Sequence, residues 1–354
     1  MKRTGIKGLL LSERGMASMT VSLILMAIIT LIVLGFAQTA RRNARQTLDN
    51  QLSTQAFYAA ESGINDARKR IGEYVQNGQD VPDKKVCGSD ANYNLDGTID
   101  GADNSVKYTC LLITGDPTML VYNLSTDANS VIIPIVPPAG KTFANLEFEW
   151  KSRLDVSNPL SGCPNKPQVF QNPAASASAW PCGYGVLRVD LAPVSGNLTR
   201  DAFLKNTFTG FFSPSNGGDD TVTYTGSGAN VHNGTANQGT KVAAHCTGSS
   251  NGSCKLSLTG LAGNPRYYMR VSTLYRDATL QLRGHDTNGN QLGFTNVQAV
   301  IDSTGKAQDV LRRMQVRIPL INNDGLYSDY PLETTNSICK QFSVFPGYSN
   351  TSPC

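Results

Sequence analysis

The chain has 354 residues, of which 40% are hydrophobic and 16% charged, enough apolar surface to offset chain entropy and to exclude a disordered chain. Its net charge is +4, and the first fifteen residues account for +3 of it: Lys2, Arg3, Lys7 and Arg14 against Glu13. The nearly neutral remainder lacks the concentrated basic face that a general nucleic-acid binder needs, so nucleic acid is not an expected partner.

After the basic start, Met16 to Ala37 is a run of 22 residues without a charge. That is long enough to cross a bilayer as a helix, and longer than the apolar core of a cleaved signal peptide. The helical pattern then continues. No proline occurs before Pro82, and Leu48, Leu52, Ala56, Ala59, Ala60, Ile64, Ala67 and Ile71 recur at spacings of three and four. This is one amphipathic stripe. Asn77-Gly78 supplies a stop. The spacing therefore predicts a helix over 16–77, transmembrane at about 16–37, that reaches roughly 90 Å at 1.5 Å per residue.

Beyond residue 78 the texture changes to short alternating runs punctuated by Gly and Pro. Strands are expected at Leu146 to Leu154, Val186 to Leu191, Tyr267 to Leu274, Thr279 to Arg283, Gln298 to Ile301 and Met314 to Ile318, with a hairpin at Asn288-Gly289. The Gly-, Ser-, Thr- and Asn-rich stretch at about 212–254 reads as a flexible insertion. The fold class is α+β: a long protruding helix packed on a β-rich domain over 78–354.

All eight cysteines, at 87, 110, 163, 182, 246, 254, 339 and 354, lie in that domain, and no pair has the C-x2-C spacing of a zinc site. An even set in close pairs reads as disulfides in an oxidising compartment, with reduced structural thiols as the alternative. Short loops close at the smallest entropic cost, which favours Cys87–Cys110, Cys163–Cys182, Cys246–Cys254 and Cys339–Cys354 among the 105 pairings that eight cysteines allow.

Cys87 and Cys110 bracket the best ligand motif. Asn92, Asn94 and Asp96 stand at positions 1, 3 and 5 of an EF-hand-type loop, Gly97 at the turn, Thr98 with its carbonyl at position 7, Asp100 at position 9 and Asp103 at position 12. Calcium is the one cofactor implied. The alternative is a polar Asn/Asp/Gly turn without metal, since Asn stands at position 1 and 104–110 reads as a strand rather than a helix.

Three histidines, His232, His245 and His285, and the lack of any H-E-x-x-H, G-x-S-x-G or P-loop argue against an enzyme. Arg312, Arg313 and Arg317 near the last strand read as a solvated face, with no aromatic residues interleaved for nucleic-acid contact.

Two stretches carry a family resemblance, which covers about residues 10–75. Glu13-Arg14-Gly15, then Met16-Ala17-Ser18 and an unbroken apolar helix, resembles the class III leader of type IV pilins. Phe57-Tyr58-Ala59-Ala60-Glu61-Ser62-Gly63-Ile64-Asn65-Asp66-Ala67 is similar to the A-A-E segment of PilX-like minor pilins. The K-type minor subunits of type II secretion share this plan. The resemblance implies a leader peptide, 1–15, cut between Gly15 and Met16 by a prepilin peptidase. It implies a single-pass protein of the cytoplasmic membrane with its C-terminal domain outside. Its partners would be other pilins, minor pilins and the inner-membrane assembly platform, in a surface filament serving adhesion or twitching. Cys339–Cys354 resembles the C-terminal disulfide loop of pilins. Major pilins carry a glutamate at the fifth mature position; here that position is Thr20, which suits a subunit that initiates or caps a filament. A membrane-tethered adhesin that never enters a filament is the alternative.

Overall fold

The computed structural model describes residues 13–88, 90–93, 105–127, 130–153, 158–163, 180–194, 206–224, 240–249, 252–261 and 266–320. One helix, α1 (Glu13–Gln76), precedes fourteen strands: β1 (Val106–Thr114), β2 (Met119–Leu124), β3 (Val131–Ile135), β4 (Asn145–Ser152), β5 (Val186–Pro193), β6 (Phe208–Ser215), β7 (Thr221–Thr223), β8 (Thr240–Cys246), β9 (Cys254–Thr259), β10 (Tyr267–Leu274), β11 (Ala278–His285), β12 (Gln291–Leu292), β13 (Gln298–Ala307) and β14 (Val310–Pro319).

The helix ends where the sequence places its stop. Gly78 has φ +66°, a conformation glycine adopts without steric cost. Its N–H donates to Val75 O and that of Gln79 to Tyr74 O, the pair of bonds that satisfies the last carbonyls of a helix.

The strands form two sheets. The smaller is β1-β13-β14, antiparallel throughout, and the second half of α1 lies across it. Ile64, Ala67 and Ile71 bury with Tyr108, Leu111, Ile113, Ala299 and Ile301 between them. The larger sheet holds the other eleven strands, in the order β12-β11-β4-β9-β8-β6-β5-β10-β3, with β2 also on β11 and β7 on β9. Its own core includes Phe148, Trp150, Phe208, Phe212, Leu256 and Met269. Two pairings, β6 with β8 and β7 with β9, are parallel.

Side chains of the small sheet terminate one edge of the large one. Gln298 on β13 is buried and exchanges two bonds with the backbone of Val121 on β2, accepting from N at 3.3 Å and donating to O at 3.2 Å. Arg317 on β14 donates to Met119 O at 2.9 Å. Polar side chains here stand in for a neighbouring strand, one way in which a sheet edge is closed to further pairing.

Of the stretch expected as a flexible insertion, 225–239 and 250–251 lie outside the described residues, and the described parts contribute strands to the large sheet. The end of β6, all of β7 and all of β8 fall within 212–254, and β8 sits between β6 and β9. Its small residues hid it: Ser213, Ser215 and Ala244 are fully buried or nearly so, held by backbone pairing rather than by apolar bulk. The hairpin at Asn288-Gly289 joins β11 to β12, with Gly289 at φ +83° and Asp286 N donating to Asn290 O.

Candidate functional site

The helix has two halves with opposite surroundings. In the first, Met19, Leu23, Ile24, Met26, Leu31 and Phe36 are all exposed. An 18-residue window of this helix reaches a mean hydropathy of 2.6, and none of it is buried. A surface like that is stable only against lipid or other apolar helices. Its hydroxyls suit the same medium. Ser22 Oγ donates to Met19 O at 3.1 Å and Thr30 Oγ1 to Met26 O at 2.7 Å, so each is satisfied by the helix itself. Gly15 and Met16 fall in the first turns of α1, and Thr20 is exposed on it.

The second half is fixed to the β domain. Leu52, Ala56, Ala59, Ala60, Ile64, Ala67 and Ile71 are buried, whereas Leu48, expected in the same stripe, is 51% exposed. Leu52 and Ala56 pack on Ala307 with Val106 and Val310 beside it, at the turn that ends the small sheet, so Leu48 lies one turn past its rim. Small residues let the helix approach closely. A side chain at Gly305 would collide with the backbone of Ala56 and Ala60, and one at Gly63 with Tyr108 and Ser303. Polar bonds fix rotation and register: Arg312 Nε to Ser53 Oγ at 2.8 Å, and Tyr108 OH to Asp66 Oδ2 at 3.0 Å. Arg70 Nε and Tyr74 OH both donate to Asn92 O, at 3.2 and 3.0 Å.

Asn92 is the one expected calcium ligand inside the described residues; Asn94, Asp96, Thr98, Asp100 and Asp103 lie outside them. Its neighbour Tyr93 is buried and donates to Pro82 O at 2.7 Å, and burial pushes its phenol well above the usual range. Among the described residues no group of three or more His, Cys, Asp or Glu is placed to hold a metal ion. Cys87 is joined to Cys110, Cys163 to Cys182 and Cys246 to Cys254; Cys339 and Cys354 lie outside the described residues. His245 and His285 stand on β8 and β11, with β9 and β4 between them, and make no joint site; His232 lies outside the described residues.

Of the three arginines expected on a solvated face, Arg312 and Arg313 are exposed and Arg317 is half-buried, and each has a partner. Arg313 makes a two-pronged bond to Asp302, Arg317 reaches β2, and Arg312 reaches the helix. A further contact had no sequence signal. Lys84 is 2% exposed, its backbone pairs with Ile113 of β1, and its Nζ donates to Val86 O at 2.6 Å and Gly88 O at 2.7 Å.

The apolar half-helix is uncovered and continuous with a half docked on a disulfide-bonded β-rich domain, a surface suited to lipid or to other apolar helices. Residues 14–65 match the family model described as PilX N-terminal. The match spans the apolar half and the A-A-E segment of the docked half, so residues 14–65 are similar to the N-terminal segment of PilX proteins. No curated protein and no solved structure matches the chain.

Proposed function

We propose that the chain is a minor pilin of a type IV pilus-like filament, made with a leader that a prepilin peptidase removes after Gly15. The mature subunit waits in the cytoplasmic membrane with its β-rich domain outside. It then joins other pilins through α1, driven by the inner-membrane assembly platform. The observation that carries this reading is the uncovered apolar half of α1, a surface that needs lipid first and neighbouring helices afterwards. Thr20 refines it. The fifth mature residue of a major pilin is a glutamate that neutralises the N-terminal amine of a neighbour within an apolar core, where an unpaired charge is costly. A threonine has no charge to offer, so this subunit fits a filament's start or cap better than its repeating shaft.

The test is the N-terminus of the mature protein. Sequencing is expected to begin at Met16, and Gly15→Leu is expected to leave the leader attached, because the peptidase accepts only a small residue before the cut. An intact Met1 in the wild type, or normal-sized mature protein in Gly15→Leu, overturns the leader. The first of these results favours a membrane-tethered adhesin.

A further inference from the structure

We infer that Arg41, Arg42 and Arg45 form a binding site for the phosphates of anionic phospholipids. The inference rests on the reading of α1 as a membrane helix and adds a specific lipid contact to it.

The position follows from length. The uncharged span Met16 to Ala37 matches a hydrocarbon core of about 30 Å. Arg41 and Arg45 then stand about 6 and 12 Å beyond its end, at 1.5 Å per residue. The headgroup layer is about 5–8 Å thick on each side, and arginine's long stem lets the charged end fold back toward it. The three side chains share one face, since Arg41 and Arg45 are a turn apart and Arg42 lies 100° from Arg41. On that face Arg41, Arg42 and Arg45 line one shallow, open recess together with Gly35, Gln38, Thr39, Gln46 and Asp49.

The charges are not spent elsewhere. Among the described residues no ion pair or hydrogen bond engages these three guanidinium groups. The one acid lining the recess, Asp49, is a turn past Arg45 and so about 18 Å beyond the apolar span, outside the headgroup layer. In the docked half Arg70 does have partners, bonding Glu73 and Asn92. A planar guanidinium fork matches a phosphate in two-pronged fashion. The same cluster sits on the flank of the helix where positive charge opposes the usual orientation preference, a cost that phosphate contacts offset. Such a site holds the waiting subunit at a fixed depth in the membrane.

The test uses the full-length chain in nanodiscs of equimolar phosphatidylglycerol and phosphatidylcholine, released in the mass spectrometer so that retained lipids are counted. Phosphatidylglycerol is expected to be retained over phosphatidylcholine by about fivefold or more, the factor one arginine contributes near an anionic surface. R41Q/R42Q/R45Q is expected to abolish the preference. R68Q/K69Q, exposed on the same helix but about 46 Å beyond the apolar span, is expected to keep it. Equal retention of the two lipids by the wild type, or unchanged selectivity in the triple variant, overturns the site. In that event, loss of co-purifying pilins from the triple variant assigns the arginines to a protein partner. Failure of the wild-type chain to enter the discs overturns the membrane reading, and the site with it, and is scored before any lipid is counted.

Discussion

Gly305 decides how close the helix comes to the small sheet. Its missing side chain leaves room for the backbone at Ala56 and Ala60, and Ala59, Ala60 and Ala67 on the helix keep the other side of the contact thin. Gly305→Val is expected to push the two apart and cost about 3 kcal/mol, the upper end of ordinary overpacking, seen as a Tm lower by roughly 6–12 °C at 2–4 °C per kcal/mol. Gly72→Ala serves as control. Nothing lies within 4 Å of its Cβ position, so it is expected to be neutral or to stabilise by about 0.5–1 kcal/mol through helix propensity. Equal Tm changes in the two variants would remove close approach as the explanation. A second residue sets an acid limit. Burial alone would raise the carboxyl of Glu149, but hydrogen bonds from Ser253 at 2.8 Å and Arg283 at 3.0 Å, with the charges of Lys255 and Arg283, hold it below its ordinary value. A carboxyl depressed in the folded state stabilises fully above the unfolded pKa of about 4.3, and that contribution is lost as pH falls through the folded value. Arg283→Met leaves burial to act with weaker opposition. It is expected to cost about 3 kcal/mol at neutral pH and to make the acid loss of stability begin at a higher pH. A titration of Tm against pH checks this; a variant profile parallel to the wild type at every pH sinks it.

At the scale of elements, the sequence is most legible where one local property decides the outcome. Helix α1 is such a case, because an uncharged run, the lack of proline and Gly78 are all local. Its stripe was readable from spacing except at Leu48, whose exposure depends on where the small sheet ends, at Ala307 and Val310, far along the chain. Strands that alternate cleanly, such as β10 and β11, each with every second residue buried, are also legible. Others are not. β3 contains Pro134, β6 contains Pro214, and β8 is short and rich in alanine, so their stability comes from the neighbours that flank them. The parallel pairings of β6 with β8 and β7 with β9 have no local signature at all. The candidate site divides in the same way. The proposed leader and Thr20 rest on consecutive residues, but Arg312 and Ser53, which fix the helix to the sheet, are 259 positions apart. The loop at 92–103 carries its own expectation. Its first residue is already anchored, because Arg70 and Tyr74 hold the carbonyl of Asn92. We propose that the rest binds calcium weakly, with a Kd on the order of 10⁻⁴ to 10⁻³ M given its three carboxylates, Asp96, Asp100 and Asp103. A ligand bound only by the folded state at tenfold excess adds about 1.4 kcal/mol. The Tm is therefore expected to rise by roughly 3–6 °C in calcium at about ten times the upper Kd, and Asp96→Ala to abolish the rise. Identical melting in EDTA and in calcium leaves the loop a polar turn.

For the whole molecule, what matters is that one helix runs without a break from its uncovered apolar half into the body of the domain. Seven buried side chains along α1, together with the Arg312–Ser53 and Tyr108–Asp66 bonds, make the apolar half a rigid extension of the β-rich domain. Wherever the apolar half packs, the domain's position follows. On the proposed minor-pilin reading, Thr20 acts on the molecule's address rather than on its fold. It is exposed and far from both cores, so Thr20→Glu is expected to leave the Tm of the folded domain unchanged. Its effect falls in the filament. A subunit inside the shaft must receive the amine of the neighbour above it, and a buried, unpaired ammonium costs several kcal/mol; threonine gives it a hydroxyl but no opposite charge. At the tip no neighbour lies above and the cost does not arise. A carboxylate at position 20 removes the penalty inside the shaft, at the expense of about 2.5–3.5 kcal/mol or less for an acid held within the bilayer before assembly. Immunogold labelling of the wild type is thus expected at filament ends, and labelling of Thr20→Glu along their length, with total membrane-bound protein equal or lower. Labelling of the variant that stays at the ends, or wild-type protein already spread along the shaft, shows that the charge at this position does not set where the subunit goes.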